Sequence, residues 1–175
     1  MNFKWLTHIS LQKSVIYFMI LIAIFVIVLA LIFWKIMKNQ FEQISIKPGF
    51  MKHNGGLLFK NVSENEYHFK TTITKNHLNA AGITHGGFIA AVVDAGAGTA
   101  AHRAANSSPC VTISLELKFI SPVKLEQELI GIVKIQKKTK SMVFLTCELK
   151  SLEKIVATAS GVWKILKLTG AGPGG

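Results

Sequence analysis

Two different hydrophobic patterns divide the chain. Residues 15–34 run V-I-Y-F-M-I-L-I-A-I-F-V-I-V-L-A-L-I-F-W without a charge. About 20 helical residues cross a hydrocarbon core, so this run predicts one transmembrane helix. Tyr17 and Trp34 stand near its two ends, where amphipathic rings prefer the interface. A cleaved leader would have a shorter apolar region followed by a small-x-small site. Here Lys35-Ile36-Met37-Lys38 follows, so a retained helix is expected.

Beyond residue 56 the period becomes that of strands. Tyr67, Phe69, Thr71 and Ile73 alternate with His68, Lys70, Thr72 and Thr74, the two-residue period of a half-buried strand. Residues 57–62 form its partner, turning at Ser63-Glu64-Asn65. Residues 75–84 read as a loop, and a helix follows to about Ala105, stopped by residues 106–109. Four more strands are expected over residues 111–119, 127–135, 141–151 and 154–166, with Lys137-Lys138-Thr139-Lys140 as a charged turn. In the first of these, Val111, Ile113, Leu115, Leu117 and Phe119 would share one face. Two strands, a long apolar helix and four strands predict an α+β class, with an antiparallel sheet curled around the helix. The resulting division is an anchor over residues 1–38, a connector over 39–55, a domain over 56–168 and a glycine-rich tail over 169–175.

The central helix carries the informative chemistry. From Gly86 to Ala101 its only charge is Asp94. A carboxylate on an apolar helix is costly to bury unless paired or used, which marks Asp94 as a functional candidate. The bland alternative is an aspartate that finds solvent or a lysine. Gly96 and Gly98 each cost about 1 kcal/mol of helix propensity against alanine; close packing, where no side chain fits, would explain them.

Asn79-x-x-Gly82-x-x-His85-Gly86-Gly87, with Asp94 nine residues after the histidine, resembles the hotdog-fold acyl-CoA thioesterases of the PaaI-like and thioesterase superfamily member 2 type. The resemblance covers residues 50–168, including the V-T-I-S-L-E-L-K-F-I-S-P-V strand of residues 111–123. It implies a hotdog fold and hydrolysis of acyl-CoA. By that resemblance the Gly86 N–H holds the thioester oxygen, Asp94 activates water or attacks, and Asn79 helps hold the carbonyl or the water. Thr112, with Ser114 as fallback, supplies a hydroxyl beside the acid. His85 reads as structural rather than as a base, Gly82 as a turn residue, and His68, His77 and His102 as ordinary polar positions. His85, Gly87, Lys137 and Lys138 are candidate substrate contacts, although a lysine cluster in a hairpin is more often simply solvated.

Elementary chemistry agrees with these roles. Backbone N–H groups at a helix start stabilise a developing oxyanion, and glycine lets a ligand approach them. A carboxylate serves as general base or nucleophile. Gly86 and Asp94 are eight helical residues apart, about 12 Å. One thioester cannot touch both on one helix. If both act, two antiparallel helices related by a twofold must supply them, so a homodimer or tetramer with interfacial sites is expected.

Composition narrows the alternatives. The net charge is +11, nearly all from lysine, and Arg103 is the only arginine. No clustered basic–aromatic pattern of nucleic-acid recognition is present. Cys110 and Cys147 lie in strand-like segments and read as buried free thiols. No metal spacing and no nucleotide-phosphate motif appear, so no cofactor is expected. Four lysines at positions 35, 38, 47 and 52 against two before the helix favour a cytoplasmic domain by the positive-inside rule. Two Asn-x-Ser matches, at Asn61 and Asn106, do not outweigh this. The sequence therefore predicts a single-pass membrane thioesterase for acyl-CoA, fatty chains being favoured by location. The alternatives are a non-catalytic acyl-CoA-binding or scaffolding hotdog module at the membrane, and a dehydratase of the same fold, which the spacing fits less well.

Overall fold

The computed structural model describes residues 3–38 and 40–167; the expected tail over 169–175 lies outside them. The chain divides into two units, residues 1–40 and 41–175. The first is one helix, α1 (Phe3–Lys38). Within it Ile16–Trp34 has a mean hydropathy of 3.3, and its side chains are exposed along the whole stretch. It is therefore long and apolar enough to cross a membrane.

The second unit is a seven-stranded antiparallel sheet against one long helix. In chain order its elements are β1 (Glu42–Ile44), α2 (Phe50–His53), β2 (Leu57–Asn61), β3 (Glu66–Thr72), α3 (Gly86–Ala104), β4 (Cys110–Phe119), β5 (Glu128–Lys138), β6 (Met142–Ser151) and β7 (Lys154–Ile165). The sheet order is β1-β2-β3-β5-β6-β7-β4. β1, in the segment expected to link helix and domain, pairs with β2 at one edge. The chain leaves β3, runs through α3 and enters the sheet again at the far edge as β4. α3 is the filling around which the sheet bends, and the architecture is the α+β hotdog fold.

Side-chain alternation positions the core. In β6, Val143, Leu145, Cys147 and Leu149 are buried, while Phe144 and Thr146 between them are exposed. Phe59, Phe69 and Trp163 are the largest aromatic groups fully enclosed; burying such a side chain contributes about 1.5–3 kcal/mol. Phe69 explains one helix glycine. A Cβ on Gly96 of α3 would lie 2.2 Å from its ring, and one on Gly131 of β5 would lie 2.0 Å from it. The ring fits between helix and sheet because neither neighbour has a side chain. Gly98 is tight as well, since its Cβ would lie 3.3 Å from Trp163 Nε1.

Three expectations change. The register of β4 against β7 shifts between Thr112 and Ser114, a bulge that breaks the alternation. Leu115, Leu117 and Phe119 stay in register after the bulge on the helix-facing side, Phe119 exposed at its end, whereas Val111 and Ile113 before it are exposed, so these five residues do not share one face. Lys137 and Lys138 end β5 rather than forming the turn, which begins at Thr139. His77 is no ordinary polar position: it is 3% exposed, its imidazole enclosed by the fold.

Candidate active site

The loop ahead of α3 is built before the helix begins. Asn79 Oδ1 accepts from Ala81 N at 2.9 Å and Ile83 N at 3.3 Å. Gly82 N donates to the Asn79 carbonyl at 3.0 Å, with Gly82 at φ 73°, a conformation that favours glycine. Asn79 N in turn donates to Ile83 O at 2.8 Å. The acceptor of the Asn79 carboxamide is thus used by the loop, leaving its NH₂ to serve a ligand.

His77 fastens this loop to the helix. Its carbonyl accepts from His85 N at 2.8 Å. Its Nδ1 accepts from Thr74 N at 3.1 Å, and its ring stacks on Phe88 with centroids 3.7 Å apart and planes 11° apart. Burial pushes the His77 imidazole below its ordinary pKa, and a hydrogen bond to the Asn54 backbone partly offsets this. His77 is therefore a neutral structural ring. No spacing rule marks it, because its role depends on the three-dimensional meeting of residues 54, 74, 77 and 88.

His85 caps α3. Its Nδ1 accepts from Gly87 N at 2.9 Å, satisfying one of the orphan donors of a helix start. Gly86 N–H, at the first helical position, has no acceptor within the helix. A Cβ on Gly86 would lie 3.6 Å from the Phe119 ring, an ordinary contact distance that places this ring beside the helix start. Phe119 borders the helix start and is 58% exposed.

Two turns further on, the side of α3 nearest the sheet edge carries Asp94. Its Oδ1 accepts from Thr112 Oγ1 of β4 at 2.7 Å, and both residues are exposed. Ser114, the fallback hydroxyl, lies beyond the bulge among Gln136, Phe144 and Thr146 on the outer face of the sheet. Asp94 is therefore not a buried charge in a single chain. It finds solvent and a hydroxyl along the free edge of β4, since β7 is that strand's sheet neighbour on the other side.

One chain thus brings two groups together separately: Asn79, His85, Gly86 and Gly87 at the helix start, and Asp94 with Thr112 at the edge strand. Lys137 and Lys138 join neither. Lys138 Nζ donates to Ala104 O at 2.9 Å, at the opposite end of α3, about 27 Å along the helix from Gly86 at 1.5 Å per residue. The thiols are poor nucleophiles. Burial raises Cys110, and it pushes Cys147 up to about 12. Among the described residues no group of three or more His, Cys, Asp or Glu could hold a metal.

Comparison with known proteins agrees with this architecture. The profile of the Thioesterase superfamily matches residues 81–158, the span from the loop through α3 to β7. A Pseudomonas aeruginosa protein that carries the name of an esterase, PA0474, is 33% identical over 94 residues, covering 53% of this chain and 70% of its own. The chain therefore belongs to the thioesterase superfamily. Acyl-coenzyme A thioesterase 13 of mouse is 24% identical over 125 residues, covering 70% of this chain and 86% of its own. Among solved structures, zebrafish thioesterase superfamily member 2 superposes with a TM-score of 0.63 at 18% identity, covering 69% of this chain and 88% of that one.

Proposed function

We propose that this protein hydrolyses acyl-CoA thioesters at a membrane surface, through sites shared between two copies of the chain. The observation that carries the reading is the 2.7 Å hydrogen bond from Thr112 to Asp94 on an exposed edge, on the same helix as an unpaired N–H at Gly86. Thr112 orients the carboxylate and leaves Oδ2 free to take a proton. Asp94 accepts that proton from water as the water oxygen bonds to the thioester carbon. The carbonyl oxygen becomes an oxyanion, met by the Gly86 N–H of the partner helix and the Asn79 NH₂. Collapse of the tetrahedral intermediate re-forms the carbonyl and expels the CoA thiolate, which takes up the proton.

Pairing of copies is supported by the 12 Å helical separation, if both Gly86 and Asp94 act, and by the surface beside Asp94. Gly87 and Ala91 lie two turns and one turn from it on α3, both small, which would let a second helix approach closely. Val111 and Ile113 on the free edge of β4 are 44% and 56% exposed, and a ten-residue edge strand needs a partner or a cover. α1 is read as a retained single-pass anchor that leaves the domain on the cytoplasmic side, and long acyl chains, which partition into bilayers, as the favoured substrates.

Thiol release from a panel of acyl-CoAs by the full chain in nanodiscs tests the chemistry. Wild type is expected to turn over one chain-length class, and Asp94→Asn to lose about a hundredfold or more, the scale of a general base. An Asp94→Asn variant as fast as wild type refutes the mechanism. A folded wild type that binds acyl-CoA but cleaves none makes the protein a membrane-tethered binding module.

A further inference from the structure

Residues 45–54 form an exposed turn around α2 at the edge where the domain begins. Ile46 is 64% and Phe50 65% exposed, although both are large and apolar and lie within five residues of each other. Lys47 and Lys52 accompany them, both exposed. The turn is held in shape by its backbone: Asn54 Nδ2 donates to Phe50 O at 2.9 Å, and Gly56 N donates to Met51 O at 2.7 Å. Met51 packs against the core, so Phe50 remains outward while its neighbour fixes the segment to the domain. From Gln43 to Lys60 the chain holds three lysines, a histidine and no acid.

We infer that this turn is a lipid-contacting foot, by which the domain rests on an anionic bilayer surface. The inference rests on the membrane reading of α1. An exposed aromatic and a branched aliphatic residue flanked by lysines is the chemistry of interfacial insertion: apolar tips enter the acyl boundary while ammonium groups meet phosphate. Connectivity supplies the second argument. Eleven residues separate Trp34, the end of the apolar span, from Ile46. Even fully extended they reach only about 40 Å, so a span fixed in the bilayer keeps the turn close to the same surface. Charge complementarity selects the occupant. With no acid in residues 45–54, the exposed Lys47 and Lys52 attract a negative surface and repel a second copy of the same turn. Contact at the foot would limit the domain's rotation about its tether.

Hydrogen exchange of the full chain tests this, in nanodiscs of phosphatidylcholine alone and of phosphatidylcholine mixed with phosphatidylserine. Amides of residues 45–54 are expected to exchange several-fold more slowly in the mixed discs, while β2 and β3 exchange alike in both. Lys47→Gln with Lys52→Gln should abolish the difference, each lysine being worth about fivefold in partition to an anionic surface. Ile46→Ser with Phe50→Ser should abolish it too, leaving β2 and β3 unchanged. Equal exchange in the two discs, with the chain still floating with the lipid, overturns the foot and leaves the anchor standing. Slowing that survives both double variants, or that grows with protein concentration, assigns the turn to a protein contact and also overturns it. A chain that does not float with either disc overturns the anchor and the foot together.

Discussion

Replacing Gly96 with alanine should destabilise this protein, against the ordinary expectation for a helix. Propensity alone favours the substitution by about 1 kcal/mol. The opposing effect comes from the Phe69 ring. The new Cβ would lie 2.2 Å from a ring carbon, against the ~3.5–4.0 Å at which carbons pack. The ring would have to retreat by more than 1 Å (about 1.3–1.8 Å by these distances). It has no room, because Gly131 lies against it from the sheet and its own Cβ position is 2.0 Å from the ring. Phe69 is fully buried, and overpacking a closed core costs about 1–3 kcal/mol. With both sides closed the upper end applies, leaving a net loss of about 2 kcal/mol once propensity is subtracted. For a domain of this size that lowers Tm by roughly 6–10 °C. Thermal unfolding followed by near-ultraviolet circular dichroism measures it. The same substitution in a Phe69→Leu background isolates the clash, and there Gly96→Ala should be neutral or stabilising. Gly96→Ala at or above wild-type stability, or an equal cost in both backgrounds, refutes the argument.

Other expectations concern the site and its assembly. Thr112→Val should lower kcat about tenfold with KM little changed, in line with losing a hydrogen bond to a charged group; Thr112→Ser should restore most of it, and a Thr112→Val enzyme of wild-type kcat contradicts the orienting role. Ile113→Lys on the free side of β4 should convert dimers to monomers by light scattering and abolish turnover, whereas an active monomer would refute a shared site. Stability should fall in acid through His77. Its folded pKa lies below its ordinary 6.5, so the unfolded chain binds the extra proton first. That share of stability is complete above about 6.5 and is lost as pH falls through the lower folded value. Urea titrations from pH 7.5 to 5 should show the decline, and His77→Gln, less stable throughout, should show a shallower one.

Much of the domain was legible from the sequence because its signals are local. Alternation located β3, and the small apolar run located α3. The glycine reasoning for Gly96 depended only on helix propensity and on the need for a close neighbour. The lost information is non-local. The bulge after Thr112 decides which side of β4 faces the core, and nothing within residues 110–119 announces it. β1 has three residues, too few for a period to emerge. His77 depends on the meeting of residues 54, 74 and 88. In the candidate site, spacing singled out Asn79, Gly86 and Asp94, but not that the Asn79 oxygen would be occupied by its own loop. That detail matters chemically: a carboxamide with only its NH₂ available can support an oxyanion, and cannot take a proton from water.

The free edge of β4 also bears on how the protein survives its own synthesis. A solitary chain displays a strand of ten residues whose outer amides and carbonyls are unsatisfied by any neighbour, next to exposed Val111, Ile113 and Phe119. That is a template for indiscriminate strand addition and aggregation. Standing last in the sheet beside β7, the strand cannot cover that edge by folding alone. If α1 is the anchor proposed above, newly made copies would search for one another in two dimensions. The encounter that completes the sheet would then remove the hazard, so quality control and assembly would be a single event.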